Sequence, residues 1–121
     1  MAFAICISAA SLTRVSAYAD FEEGLEAYNN GDYARALAEM KSSAEQGHAG
    51  AQCNLGFMYG NGEGVAQDYA YAYMWFNIAS SNGNDQSVAS RDSVRDKLTS
   101  KQIEQSQEMA RDFLNSGYVG C

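Results

Sequence analysis

The sequence predicts an all-α protein, a short α/α superhelix of about two and a half helix-pair repeats that is closed by a C-terminal capping helix. Three observations support this prediction. The 121-residue chain contains no proline, it repeats itself internally, and its helix boundaries carry capping residues. Because proline breaks helices and none is present, the turns must be made by Gly, Asn and Asp. The length fits a single domain.

The composition disfavours two classes of partner. The chain carries 15 acidic and 8 basic residues, a net charge of -7, with no clustered stripe of Lys and Arg. Nucleic acids and anionic membrane surfaces repel such a chain. Hydrophobic residues make up 46% of the chain, enough for a core, but no apolar run reaches the ~20 residues that a membrane-spanning helix needs. We therefore expect neither nucleic-acid binding nor a transmembrane segment.

Residues 1–19 have the pattern of an export signal. Residues 1–10 are apolar, and residues 17–19, Ala-Tyr-Ala, have the small-x-small form that signal peptidase accepts. We expect cleavage before Asp20 and a protein that is periplasmic or secreted. The segment lacks the usual positive charge before its apolar part. Either the true start therefore lies upstream of Met1, or the segment is an ordinary frayed helix.

Two cysteines would remain after that cleavage, Cys53 and Cys121, with 67 residues between them. An intramolecular disulfide would close a long loop, worth ~4 kcal/mol in the chain-entropy model. Alternatively, Cys53 is a small core residue and Cys121 a terminal thiol, or Cys121 pairs between chains and links a homo-oligomer. The sequence leaves all three open.

The chain after residue 19 contains two related units, residues 24–47 and 56–83. The offset between matching residues grows from 32 to 36, because the loop of the second unit is four residues longer. Periods of this size indicate helix pairs, each of which cannot bury its apolar face alone. The resulting segments are a divergent first repeat at 20–47, a second repeat at 48–83, and a C-terminal helix pair with its capping helix at 84–121.

The matching positions have structural roles in such helix pairs. Glycines let the two helices of a pair approach closely, aspartates cap the second helices, alanines lie where helices cross, and further glycines end the second helices. The glycines of close approach are Gly24 and Gly56, and the capping aspartates are Asp32 and Asp68. The alanines at the crossings are Ala36 and Ala72, and the glycines that end the second helices are Gly47 and Gly83.

The tail predicts a third helix pair. Residues 85–97 form a weakly amphipathic helix whose apolar set includes Val88. Thr99 and Gln102 form a capping box at the start of the closing helix. The apolar stripe of that helix includes Met109, and its opposite face is polar, as a solenoid cap requires.

The second unit carries a set of residues at fixed spacings. They are Ala51, Gln52, Leu55, Gly56, Tyr59, Gly62, Gly64, Val65, Asp68, Ala72, Trp75 and Ala79. With these residues the segment 49–80 closely resembles a Sel-1-like repeat, the solenoid relative of the tetratricopeptide repeat. It departs from that pattern at Cys53, where the family often has an aromatic residue, and at Ala66, where a proline is common. The resemblance implies an α-solenoid that serves as a scaffold for protein assembly without intrinsic chemistry.

The residues themselves predict no catalytic, metal or cofactor site. His48 is the only histidine, and a general base needs an orienting partner and a nucleophile nearby. A zinc site would need two ligands besides His48 and Cys53. The glycine-rich segment 60–64 lacks the lysine of a phosphate-binding loop. We interpret His48 as a capping or solvated residue and segment 60–64 as a turn between helices.

The predicted binding surface is the concave side that first helices form in tandem helix pairs. Cys53 and Phe57 are expected to face this groove, with Tyr28 as the comparable aromatic of the first unit. Tyr71 and Trp75 are the second pair of candidates. The alternative is that these side chains belong to the core, and that Trp75 packs against the tail helix.

The leading hypothesis is a non-enzymatic scaffold or adaptor of the cell envelope that binds another protein or a peptide and needs no cofactor. A first alternative is an envelope hydrolase or lactam-binding protein, an activity attributed to some secreted relatives in the resembling family. A second alternative is a small structural subunit that is disulfide-linked through Cys121. The identity of the partner is not encoded in any recognisable motif.

Overall fold

The computed structural model describes residues 2–116, and for residues 2–15 it describes the backbone alone. Within residues 2–116 the chain forms six α-helices and no strand. The helices are α1 (Ala2–Asn29), α2 (Tyr33–Glu45), α3 (Ala49–Asn61), α4 (Tyr69–Ser81), α5 (Gln86–Arg95) and α6 (Ser100–Asn115). The predicted all-α class and the solenoid-like arrangement of helix pairs are confirmed.

The predicted caps determine where the helices begin and end. The side chains of three N-cap residues accept backbone N–H groups that have no partner within the helix. These pairs are Asp32 with Arg35 (3.2 Å), Asp68 with Tyr71 (3.0 Å) and Thr99 with Gln102 (3.2 Å). Gly47 and Gly83 follow α2 and α4 with φ angles of 94° and 93°, in the left-handed region that favours glycine.

Helix α1 runs without a break through the segment with the export pattern and into the first helix pair. Ala17 is buried, and its carbonyl oxygen accepts the hydroxyl of Ser43 at 2.6 Å. The carboxylate of Asp20 accepts the Ser42 hydroxyl at 2.7 Å and the Gln46 amide at 3.0 Å. Cleavage before Asp20 stays a prediction, and it would remove the acceptor of the Ser43 hydroxyl. Among the described helices, none is both long and apolar enough to cross a membrane.

Close approach of helices occurs at the two predicted glycines. A Cβ on Gly24 would lie 3.0 Å from the end of the Met40 side chain, and a Cβ on Gly56 would overlap the Phe76 ring. Ala36 and Ala72, the predicted crossing residues, have no exposed surface. The small residues therefore allow the large side chains of α2 and α4 to pack directly against α1 and α3.

Gln52 connects three helices in the core. Its side chain is fully buried. The Nε2 atom donates to the carbonyl oxygen of Ala44 at 3.0 Å, and the Oε1 atom accepts from the Asn82 amide at 2.8 Å. Because both partners lie at the C-terminal ends of α2 and α4, Gln52 fixes how the second helix pair stacks on the first.

Helix α4 is the centre of the fold. It packs against α3, α5 and α6. Its buried residues are Ala72, Tyr73, Met74, Trp75, Phe76, Ile78 and Ala79. Since both tail helices lie mainly on α4, the tail depends on α4 for its position.

The predicted apolar contacts of the tail are partly wrong. Val88 and Met109 are 38% and 39% exposed. Small polar residues make the close contacts instead: the hydroxyl of Ser106 donates to the carbonyl oxygen of Ala70 at 2.9 Å, and Ser87 is fully buried. A serine permits a short distance between helices and still has its hydrogen bond, which a valine or methionine would not.

The loop between α3 and α4 is a tight turn, as predicted. Gly62 ends α3 with φ of 71°, and Gly64 follows with φ of 73°. A Cβ on Gly64 would lie 2.5 Å from the carbonyl oxygen of Tyr33. The loop therefore rests on the start of α2 and joins the two helix pairs.

Replacing Gly56 by alanine tests the close approach of α3 and α4. The added methyl group must displace the buried Phe76 ring, so we expect G56A to lower the free energy of unfolding by about 1–3 kcal/mol despite its better helix propensity. Gly60 on the same helix is the matched control, because a Cβ there would meet only Ala72, at 3.7 Å. We expect G60A to be neutral or stabilising by up to ~1 kcal/mol. Urea unfolding followed by circular dichroism measures both, and equal effects would contradict this account.

Candidate functional site: a groove formed by helices α1, α3 and α5

Two adjacent clefts lie on the side of the molecule that the first helices form. The first, which we call the α1–α3 cleft, has a volume of about 310 Å³ and is lined by Leu25, Tyr28 and Asn54 among others. The other, of about 420 Å³, lies between α3, α4 and α5. Phe57 and Asn61 line both clefts. We call the two clefts together the groove.

Phe57 forms the ridge between the two clefts. Its ring lies edge-on against the Phe76 ring, with 5.1 Å between the ring centroids. Phe76 in turn packs against α3 at Gly56. Phe57 is half-buried, so one side of its ring is fixed by the core and the other is available to a ligand. Aromatic side chains held in this way are frequent energetic centres of protein interfaces.

The α1 end of the groove is held by Glu63 from the loop after α3. Its carboxylate accepts the Tyr28 hydroxyl at 2.7 Å and the Asn61 amide at 3.3 Å. The hydrogen bond to Glu63, with burial and the negative charge of the carboxylate, raises the pKa of Tyr28 to about 12. The phenol therefore stays neutral at ordinary pH and continues to donate. This contact closes the groove across two helix pairs.

Amide side chains line the α1–α3 cleft. Asn29, Asn54 and Asn61 all contribute to its walls. The amide nitrogen of Asn54 lies 4.0 Å from the sulfur of Met40, and sulfur is a weak acceptor. Asparagine amides carry both donors and acceptors, the complement of an extended or helical backbone end. The cleft thus offers polar groups beside an apolar ridge.

Of the predicted binding residues, Tyr28 and Phe57 line the groove and the others do not. Cys53 is 3% exposed, and burial raises the pKa of its thiol although a hydrogen bond with Ser87 opposes this. Its predicted place on the groove surface is therefore corrected to the core. Cys121 lies outside the described residues, so the Cys53–Cys121 disulfide stays a prediction.

Tyr71 and Trp75 lie away from the groove. Trp75 is 3% exposed and its ring stands edge-on to Phe113 of α6, 5.2 Å between centroids. This is the alternative packing against the tail helix, and it removes Trp75 from the accessible surface. Tyr71 is half-buried against Tyr59, 4.5 Å between centroids. Trp75 therefore holds α6 on α4, and Tyr71 packs α4 against α3.

The groove residues that were not identified from the sequence include Asn29, Asn54 and Asn61. The contact of Glu63 with the groove residue Tyr28 was not identified either. Asn54 and Asn61 lie three residues before and four residues after Phe57, the spacing of one helix face, and that pattern could have found them. Glu63 bonds to Tyr28 across 35 positions, and no local pattern predicts such a contact.

His48 is the N-cap of α3, as the sequence interpretation proposed. Its Nδ1 atom accepts the backbone N–H of Ala51 at 3.1 Å, and its ring stacks on Phe21 at 4.3 Å. Burial lowers the pKa of His48 from 6.5, so the neutral ring that can accept this hydrogen bond is favoured. Among the described residues, no three His, Cys, Asp or Glu side chains lie together as a metal site.

The His48 cap predicts a pH dependence of stability. Since the pKa of His48 is lower in the folded than in the unfolded protein, its stabilisation is fully present above pH ~6.5 and declines as the pH falls below that value. The asparagine introduced by H48N keeps a capping oxygen but cannot titrate. We expect the free energy of unfolding of the wild type, minus that of H48N, to fall by up to ~1 kcal/mol between about pH 7.5 and pH 5. Urea unfolding across this range measures it, and a constant difference would contradict the role of the neutral ring.

The chain is similar in sequence to known repeat proteins. Residues 49–84 match the model of the Sel1 repeat. Over 63 residues the chain is 35% identical to the exopolysaccharide production negative regulator of Rhizobium leguminosarum bv. viciae, a match that covers 52% of this chain and 24% of that protein.

A solved structure extends the likeness to most of the fold. The crystal structure of c5321, a protective antigen of uropathogenic Escherichia coli strains with an SLR fold, superposes with a TM-score of 0.77 at 33% identity. The match covers 82% of this chain and 22% of c5321. This chain therefore spans about a quarter of the length of each relative. Its segment 49–84 and its stacked helix pairs are therefore similar to those of Sel1-like repeat proteins.

Proposed function

We propose that this protein is a non-enzymatic adaptor that holds a short segment of another protein in the groove. The observation that carries the proposal is the half-buried Phe57 ridge between two clefts, with amide side chains beside it. Sel1 repeats mediate protein–protein interaction, and the likeness supports the same use here. A groove of this kind suits a peptide or one helix rather than a large domain surface.

The arrangement gives the hydrolase and lactam-binding alternative no specific support. Nδ1 of His48 is engaged as a helix cap and its ring lies on Phe21. The Cys53 thiol is buried and its pKa is raised, the opposite of an activated nucleophile. None of the described residues supports the alternative that Cys121 links two chains.

A selection of displayed peptides on the purified full chain tests the adaptor proposal. We expect the wild type to enrich peptides that bind with a dissociation constant of roughly 1–100 μM, and we expect Phe57→Ser to weaken them at least tenfold. Met109→Ser is the control, an exposed apolar side chain on α6 that lines neither cleft. Phe57→Leu should restore much of the binding if F57S remains folded by circular dichroism. Peptides that bind wild type and F57S equally would overturn the proposal.

We also propose that the adaptor works in the cell envelope. The support is the apolar segment with its small-x-small site before Asp20. The Rhizobium relative is named for exopolysaccharide production, and an envelope regulator would be a compatible setting.

The intact mass of exported protein tests this location. We expect a chain that begins at Asp20, since the peptidase site precedes it. Retention of the full chain inside the cell would contradict the proposal. A variant with Ala17 and Ala19 changed to bulky residues should block the processing, and Tyr18→Phe is the control that should not.

A further inference from the structure

We propose that the segment bound in the groove is cationic, with an apolar side chain on the Phe57 ridge and Lys or Arg residues over the α1 end. This inference rests on the adaptor function proposed above and adds the chemistry of the partner. The distribution of charge around the groove supports it.

The α1 end of the groove is acidic. Glu22, Glu23 and Glu26 border a hollow that shares Leu25 and Asn29 with the α1–α3 cleft. The guanidinium of Arg35 is 4.0 Å from the carboxylate of Glu23, and both side chains are about half exposed. Such an ion pair contributes little. The rim of the cleft therefore keeps a negative potential, next to apolar and amide groups.

Glu63 adds a fourth carboxylate at the same end, in a fixed position. Its two oxygens accept from Tyr28 and Asn61. Both of these donors are neutral, so they orient the carboxylate without cancelling its charge. Both donors line the α1–α3 cleft, so the carboxylate beside them adds to the negative potential that a Lys or Arg of a bound segment would meet there.

The opposite end of the groove is positive. The ammonium of Lys97 lies 5.1 Å from the centroid of the Tyr69 ring, and both residues line the second cleft. This cation–π contact holds Lys97 at the α5 end. The groove therefore has carboxylates at one end and an ammonium at the other, so a bound segment would place its positive residues over α1.

A second copy of this chain and an acidic peptide fit these charges less well. Each chain has a net charge of -7, so two copies would repel each other at the acidic rim. A neutral peptide would gain from Phe57 and the asparagines alone. A cationic segment gains from the ridge and from the rim together, which is why it is the favoured occupant.

Two synthetic peptides test the inference by fluorescence anisotropy with the full-length protein. Both carry the same central Phe and Leu, and one is flanked on one side by about three Lys and the other by about three Glu. We expect the Lys peptide to bind at least about tenfold more tightly at low salt, with a difference that shrinks near 0.5 M salt because screening weakens exposed charges. F57S should weaken the Lys peptide at least tenfold.

Two charge variants distinguish the effect of the carboxylates at the α1 end of the groove from the effect of the net charge of the protein. E26Q/E63Q removes two carboxylates beside the α1 end of the groove, and the amide oxygen that E63Q introduces can still accept from Tyr28. E104Q/E108Q removes two exposed carboxylates on α6 and is the matched control. We expect the preference for the Lys peptide to fall at least threefold in E26Q/E63Q and to stay within experimental error in E104Q/E108Q.

The outcomes distinguish this inference from the adaptor function. Equal or tighter binding of the Glu peptide, or equal effects of the two charge variants, would overturn the cationic segment, while sensitivity to F57S would leave the adaptor standing. If the peptide display selects peptides that lack basic residues, this would also overturn the cationic segment and leave the adaptor function standing. Dimerisation that F57S abolishes, seen by sedimentation, would show that a second copy is the occupant and overturn the inference.

Discussion

The close approach of α3 and α4 at Gly56 is the constraint on which the rest of the structure depends. Only a residue without a Cβ leaves room there for the Phe76 ring. Phe76 then supports the edge of Phe57, and α4 comes close enough to serve as the common packing surface of α3, α5 and α6. A single small residue therefore determines both the position of the core helix and the height of the ridge in the groove.

Buried polar side chains fix the stacking of helices that apolar contacts alone would leave free to slide. Gln52 bonds to groups at the ends of α2 and α4, Ser43 to α1 and Ser106 to α4. Each of these side chains is buried, and an unmade hydrogen bond there costs about 1–3 kcal/mol. The geometric demand of the bonds selects one register between neighbouring helices.

The groove belongs to more than one helix pair. Tyr28 comes from the first pair and Glu63 from the loop of the second, and their hydrogen bond spans the junction. The backbone contact of Gly64 with Tyr33 supports the same junction. A segment bound across the clefts, as we propose, would therefore contact both pairs and favour their assembled arrangement.

The sequence by itself determined the helices, their caps and the glycines of close approach, because these depend on spacing within a few residues. Asp32, His48 and Gly83 act through neighbours in the chain, and such contacts are visible in the sequence. Tertiary structure alone decided which apolar faces are covered. Helical periodicity predicts which face of a helix a residue lies on, but not which neighbour covers that face. Cys53 and Trp75 are therefore part of the core, whereas Val88 and Met109 lie on the surface. The hydrogen bond between Glu63 and Tyr28 likewise depends on the tertiary structure.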